Sequence, residues 1–418
     1  MSFVIPPTAR SWVSVAPRSH FPIQNLPFGL ARMGDQDESV VIRIGDQALV
    51  LTALADAGII SDRQFPLLDS FIAFDHEDIR SLRRIAFELL SEGSSTLRDN
   101  PDLQAQALVP VERLEMLVPV EIPAYVDFYS GIYHASNVGK MFRPDMPPLL
   151  PNYRHVPVAY NGRASSVVIS GTPIKRPSGQ VKSPNEELPR FLPTRELDFE
   201  LEMGFFLAEG NTLGTSIPIG QAEDHILGLV LVDDWSARDI QRWEYQPLGP
   251  FLAKSFATSI SPWIVLLDAL EPFRCQGETQ DPAPLSHLAL QGQAHYDIRL
   301  EVSLQSQKMT RPQVISRSNA KHLYWTFVQQ LAHATSNGSN TEPGDLYASG
   351  TISGPDPGSW GSLLELAWKG TQPLTMEETG ETRAFLEDGD TLTITGYCEG
   401  DGFRVGFGEV RGTVQPAS

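Results

Sequence analysis

The seven residues Ile226 to Val232, ILGLVLV, run directly into two aspartates, Asp233 and Asp234. The run is too short and too rich in branched side chains for a helix that must stop at an acid pair, so it predicts a buried strand. A chain with such a strand is committed to a sheet, and this one carries paired carboxylates to the strand's end. Ser236 stands three residues before Asp239, a Ser-x-x-acid pattern that predicts a helix starting at once, and Gln246-Pro-Leu-Gly-Pro ends it. On that helix Arg238, Gln241 and Tyr245 share a polar face, while Ile240 and Trp243 share the face expected in the core. Lys254 and a group of hydroxyls follow the turn.

The remainder reads as short strands between many glycine and proline turns, with few helices. Val40 to Ile44 and Ala48 to Leu51 flank Gly45-Asp46-Gln47 as a hairpin. Residues 1 to about 38 lack periodicity and are expected to be extended or to drape over the surface, and Ser70 to Gly93 reads as a charged helix. Pro110, Pro119 and Pro123 mark a boundary between a small N-terminal unit and the rest. Further on, Trp263 to Leu270 predicts an apolar strand, Ser318 to Ala334 a helix, and the segment carrying Glu365 a strand. Thr391 to Thr395 and Phe403 to Val410 close the chain as antiparallel strands. The expected class is mainly β, within α+β.

Composition removes several functions. At 418 residues with 41% hydrophobic content the chain has room for a large core and two or three domains. A formal charge of −19 leaves no electrostatic footprint for nucleic acid and argues against an anionic membrane surface, while suiting a protein that collects cations. Only Cys275 and Cys398 are present, without CxxC spacing, so neither a disulfide framework nor a thiolate metal site is implied, and a reducing compartment is expected. Neither a signal peptide nor a membrane span is expected, since no apolar run approaches ~18 residues. No Gly-x-Ser-x-Gly elbow and no glycine-rich phosphate loop occurs.

Three groups of residues carry possible chemistry. In RELDFELEMGFFL strand alternation puts Asp198, Glu200 and Glu202 on one face and Leu197, Phe199, Leu201 and Met203 on the other. Glu200 and Glu202 with Asp127 and Asp234 make an oxygen-rich set of the kind hard divalent cations take, and Lys254 would offset part of the charge. The same acidic face would equally suit a half-buried strand turned to water. His134 is a candidate general base, a role that contributes ~10²- to 10⁴-fold, with Glu365 as a possible orienting partner. A structural or surface histidine fits the spacing as well. Arg238, Gln241 and Lys254 are candidate donors to developing negative charge, or simply a solvated helix face and a loop lysine. Asp127, Tyr129, His134 and Arg143 are expected on strand edge and loop.

Long stretches then narrow these alternatives. DFYSGIYHASNVGKMFR, YNGRASS, SGTPI, LDFELEMGFF, DDWSARDIQRWEYQPLGPFLAKSFATSISPW, PGDLYASGTISG, LLELAWKG and GDGFRVGFG together resemble the fumarylacetoacetase family, in order and from residue 21 almost to the C-terminus. The resemblance implies a small N-terminal SH3-like barrel over residues 1–118 and a large C-terminal β-sandwich-like catalytic domain over 119–418. It implies a cytoplasmic homodimer, with Ca2+ or Mg2+ held by Asp127, Glu200, Glu202 and Asp234, and with Lys254 and Thr258 near a second, weaker cation site. It places the base on His134, oriented by Glu365, and leaving-group stabilisation on Arg238, Gln241 and Lys254. Substrate contacts fall on Tyr129, Arg143, Gln241, Tyr245 and Thr351. The implied reaction is hydrolysis of the carbon–carbon bond of 4-fumarylacetoacetate, a diketo-dicarboxylate, to fumarate and acetoacetate, the last step of tyrosine and phenylalanine breakdown. The alternative is a related diketo-acid hydrolase, isomerase or decarboxylase on the same fold. Asp233 stands where the family carries asparagine, and residues 144–152 and 181–195 diverge from its pattern.

Overall fold

The computed structural model describes residues 3–34, 37–61, 75–183 and 185–418. The predicted strand is present as Ile226–Asp234, and all nine of its residues are buried. Its alternation separates two cores, as a two-sided strand must. Leu229 and Leu231 pack with Val302, Ile394 and Phe407 of a second sheet, whereas Val230 and Val232 pack with Phe28, Val40 and Ile42 of the N-terminal unit. One strand therefore holds both halves of the chain against each other.

That strand lies within a seven-stranded sheet in the order Ala159–Asn161, Tyr125–Phe128, Leu346–Ala348, Leu201–Leu207, Ile226–Asp234, Thr258–Ile260 and Val167–Ile169. The pairings Leu346–Ala348 with Tyr125–Phe128 and Thr258–Ile260 with Val167–Ile169 are parallel; the others are antiparallel. Facing it is a five-stranded sheet: Gln313–Asn319, Arg299–Gln305, Thr391–Glu399, Arg404–Gln415 and Ile174–Lys175. The N-terminal unit has its own five-stranded antiparallel sheet, which includes the predicted hairpin as Ser39–Ile44 and Gln47–Val50, and the helix His76–Leu90. The chain is strand-rich and mixed α+β, with a smaller N-terminal part and a larger C-terminal part, as expected.

Several elements differ from expectation. Residues 3–34 do not drape: Ile23, Leu26 and Phe28 are core, and Phe28–Arg32 is a sheet strand. The fully buried Arg83 fastens this segment by donating to the carbonyls of Phe3, Gln24 and Asn25. Of the helix expected from Ser70, residues 70–74 lie outside the described residues. Trp263 to Leu270 is not one strand; Ile264 and Val265 make isolated bridges and Leu267–Leu270 is a helical turn. The first part of 318–334 belongs to the strand Gln313–Asn319 and a 3₁₀ turn, and the helix starts only at Phe327, where Thr326 and Gln329 form a capping box. Ser236 does not cap the next helix: it sits in a two-residue strand, and Asp239 is taken instead by Thr194 Oγ1 and the Arg195 N–H. The helix runs Arg238–Glu244 with no side-chain cap. Trp243, expected in the core, is 43% exposed and lies beneath Lys182.

Candidate active site

In both antiparallel and parallel sheets, residues in direct register share a face. Asp127 is in register with Ala348, Ala348 with Gly204, Glu202 with Val232, and Asp234 with Thr258, so Asp127, Glu202, Asp234 and Thr258 project from the same side. Asp127 and Asp234 stand three strands apart, which in a flat sheet means roughly 14 Å. Yet the Tyr160 hydroxyl lies 2.7 Å from Asp127 Oδ2 and 2.7 Å from Asp234 Oδ2. The sheet curls, and its concave side gathers the acids.

The acidic strand predicted over 197–203 is broken. Leu197–Asp198 pairs with Ser236–Ala237, and Leu201–Leu207 joins the main sheet. The break frees Glu200 to reach the acids and sends Asp198 elsewhere. Neither faces water: Glu200 is 6% exposed, and Glu202 and Asp198 are fully buried. Ligand oxygens from Asp127, Glu200, Glu202 and Asp234 lie within 4.8 Å of one another. Burial and the Asp234 charge raise Asp127 well above the usual carboxylate range, and burial with the Asp127 charge does the same to Glu202. Burial would raise Glu200 also, but Lys254 and Arg238 hold it below the ordinary range. Lys254 Nζ donates to Glu200 Oε2 at 2.5 Å and to Asp234 Oδ2 at 2.9 Å, and Thr258 Oγ1 donates to Asp234 Oδ1 at 2.7 Å.

A cation fits this set on its own evidence. Asp127 Oδ1 and Glu202 Oε1 are buried without a hydrogen-bond partner among the described residues, although each belongs to a group with a strong demand for positive charge. Four clustered carboxylate oxygens, with no sulfur or imidazole among them, match a hard divalent ion. Asp233 points from the other face of the strand and accepts from the Glu200 N–H at 3.2 Å, which leaves Asp234 as the member of the acid pair in the cluster.

His134 is not on a loop. It lies one turn into the helix Ile132–Phe142, whose C-terminal boundary is Arg143. Its Nδ1 is 2.6 Å from Glu365 Oε2, across 231 residues of sequence. Glu365 is on the short helix Leu363–Leu366, not on a strand. Asn137 Nδ2 donates to its other oxygen at 2.8 Å, and Ser353 Oγ and Ser362 Oγ donate to Oε2 at 2.8 and 3.0 Å. Burial would raise Glu365, but His134 and these hydrogen bonds hold it below the usual carboxylate value. With Nδ1 committed, Nε2 is the ring nitrogen left for chemistry. The Tyr129 ring packs edge-on against the imidazole at 5.4 Å.

Arg238 links the two groups. Its Nε donates to Asp198 at 2.8 Å and its Nη1 to Glu200 at 2.6 Å and Gln241 Oε1 at 3.2 Å, while Nη2 is buried without a partner among the described residues. Asp198 also accepts from the N–H groups of Leu363 and Leu364, so one carboxylate fixes both Arg238 and the helix that carries Glu365.

All of this opens on a cavity of about 570 Å³ lined by Asp127, Tyr129, His134, Arg143, Glu200 and Arg238, with Gln241, Tyr245, Lys254 and Thr351 also on its walls. The Thr351 hydroxyl and the Arg143 Nε are buried there without partners among the described residues. Glu202, Asp234 and Thr258 stand behind the wall. Sequence reasoning missed Tyr160, Asn137, Ser353, Ser362 and the role of Asp198. A signal existed for one of them: Ser362-Leu-Leu-Glu365 is a Ser-x-x-Glu capping pattern.

Two family models cover most of the chain, fumarylacetoacetase N-terminal over residues 24–119 and fumarylacetoacetate hydrolase C-terminal over 125–415. The chain belongs to the fumarylacetoacetase family. It is 48% identical over 415 residues to the fumarylacetoacetase of Homo sapiens, covering 97% of this chain and 99% of that one. It is 48% identical over 419 residues to that of Dictyostelium discoideum, with 98% of each covered. Among solved structures, a fumarylacetoacetate hydrolase from Exiguobacterium antarcticum superposes with a TM-score of 0.52 at 16% identity over 94% of this chain and 99% of that chain, a likeness of fold alone. No helix among the described residues is long and apolar enough to cross a membrane.

Proposed function

We propose that this chain hydrolyses the carbon–carbon bond of 4-fumarylacetoacetate, yielding fumarate and acetoacetate as the last step of tyrosine and phenylalanine breakdown. The observation that carries this reading is one cavity that presents a carboxylate-held imidazole, part of a four-carboxylate cluster and unsatisfied guanidinium N–H groups together. Cleaving a 1,3-diketone with water needs a base for the water, positive charge on the diketone oxygens, and donors for the departing enolate.

His134 supplies the base. Nε2 accepts the water proton while Glu365 holds Nδ1–H and stabilises the imidazolium that forms. Arg238, Gln241 and Lys254 surround the place where the enolate charge develops. Arg238 offers its unpartnered Nη2, and Lys254 is held charged because Asp234 and Glu200 outweigh the burial that would discharge it. Arg143 suits a substrate carboxylate through its planar fork. Tyr129, Tyr245 and Thr351 line the remaining contacts, with Tyr245 at the mouth.

Asp127, Glu200, Glu202 and Asp234 would hold Ca2+ or Mg2+, which supplies Lewis-acid polarisation of the diketone when bound. Lys254 and Thr258, both on Asp234, border the place for a second and weaker cation. The division at residues 118 and 119, a homodimer and a cytoplasmic location complete the proposal; the two free cysteines are consistent with a reducing compartment.

The test is incubation of the purified protein with fumarylacetoacetate and with other diketo acids. Loss of the diketone absorbance with equal amounts of fumarate and acetoacetate is expected. Isomerised or decarboxylated products, or turnover confined to another diketo acid, would move the chain to the alternative activities of the same fold.

A further inference from the structure

Tyr160 is absent from every role assigned above, yet its hydroxyl lies 2.7 Å from two members of the acidic cluster. It is on the edge strand Ala159–Asn161, in direct register with Asp127, and its hydroxyl reaches two carboxylates that come from strands three positions apart. We propose that Tyr160 is a positioning residue for the cation, tying Asp127 to Asp234 and setting which oxygens they present. This inference rests on the reading that the four carboxylates hold a divalent ion.

The bonding pattern of Asp127 carries the argument. Among the described residues its carboxylate has a single hydrogen-bond partner, Tyr160, at Oδ2. Its other oxygen, Oδ1, is buried and unpartnered. Every other member of the cluster is anchored independently: Glu200 by Arg238 and Lys254, Glu202 by the Gly350 N–H at 2.9 Å, and Asp234 by Lys254 and Thr258. Among the described residues no other hydrogen bond fixes the torsion of the Asp127 carboxyl group. With the phenol, Oδ2 is held to the hydroxyl that also meets Asp234, and Oδ1 is left without a partner among the described residues.

A phenol is suited to this place. It carries one O–H and so donates to one carboxylate at a time, and its oxygen accepts from the other when that carboxyl holds a proton. It adds no charge to a cluster whose remaining attraction is left for the ion. Groups that orient ligands in this way typically contribute ~10- to 100-fold in metal affinity.

Tyr160→Phe removes the hydroxyl and keeps the ring. Calcium binding is measured by calorimetry on the full-length protein without substrate, and turnover of fumarylacetoacetate is followed across a calcium titration. The expected result is a ~10- to 100-fold weaker calcium affinity, with kcat returning close to wild type once calcium saturates the variant. Wild-type calcium affinity in the variant overturns the proposal, and so does a loss of turnover that saturating calcium does not relieve. Should the variant fail to fold, the ultraviolet difference spectrum of the wild-type protein on adding calcium gives the answer: a perturbed tyrosine is expected, and a flat difference spectrum across a saturating titration overturns it. Wild-type protein that binds no divalent cation is the separate outcome that removes the cation site itself.

Discussion

The two ends of the cavity are built on opposite plans. At the His134 end, Glu365 is buried yet every oxygen it presents is used, by His134, Asn137, Ser353 and Ser362. At the acidic end, four carboxylates crowd together and two of their oxygens find no partner among the described residues. The first, the proposed base, is hydrogen-bonded by the protein alone; the second, on the proposed reading, is finished by positive charge from outside. The same side-chain chemistry therefore has opposite consequences at positions that share one cavity, and substitutions can separate them.

The largest effects are on turnover at the finished end. Glu365→Gln puts an amide donor against Nδ1 and shifts the imidazole proton to Nε2, where it blocks base action. A kcat loss of about 10⁴-fold is expected by analogy with a triad carboxylate made amide. His134→Ala removes the base itself and is expected to cost ~10²- to 10⁴-fold. Both should bind calcium as the wild type does in calorimetry. Weakened binding in either variant would mean that the two ends are not independent.

Stability measured in chelator comes next. Glu365→Ala strands Asn137, Ser353 and Ser362 donors in the interior and should lower unfolding free energy by about 1–3 kcal/mol. Glu202→Gln removes one of four mutually repelling charges, so the cation-free protein is expected to be at least as stable as wild type. Denaturant titration checks both. In wild type, calcium at 100 times its dissociation constant should add ~2.7 kcal/mol, and that gain should shrink in Glu202→Gln because the affinity falls.

The smallest effect is in pH dependence, where the signs oppose. Glu365 is held below the ordinary carboxylate value, so its contribution is present above that range and is lost as pH falls through its depressed value. Asp127 is raised by burial and the Asp234 charge, and Glu202 by burial and the Asp127 charge, so their contribution is present at acid pH and is lost as pH climbs from the ordinary range toward their raised values. Unfolding series in chelator should show Glu202→Gln flattening the loss on the rise toward neutrality and Glu365→Ala flattening the loss in acid. A common response would erase the distinction between the ends.

How much of this was legible differs between the same two ends. The strand Ile226–Asp234 and the acids it delivers were readable because seven apolar residues before an acid pair permit little else. Whether Glu200 and Glu202 faced a cation or water was not readable, since alternation is silent on what covers a face; here the sheet curls and the face is concave. The His134 helix hid behind Gly139, an unfavourable helix residue that is needed because a Cβ there would sit 1.8 Å from the Pro148 carbonyl oxygen. Pairing of His134 with Glu365 is a tertiary fact with no local trace, and only the likeness of long motifs brought those residues together beforehand. Tyr160 and Asp198 escaped because their roles are hydrogen bonds between strands and to backbone N–H groups, which no spacing encodes.

The central claim is that the acidic end supplies nothing until a cation completes it, while the base end is already complete. Fumarylacetoacetate turnover before and after thorough chelation, followed by calcium or magnesium add-back, tests this directly. The account predicts loss of activity on chelation and its return with the divalent ion. Undiminished hydrolysis by protein stripped of metal would contradict it.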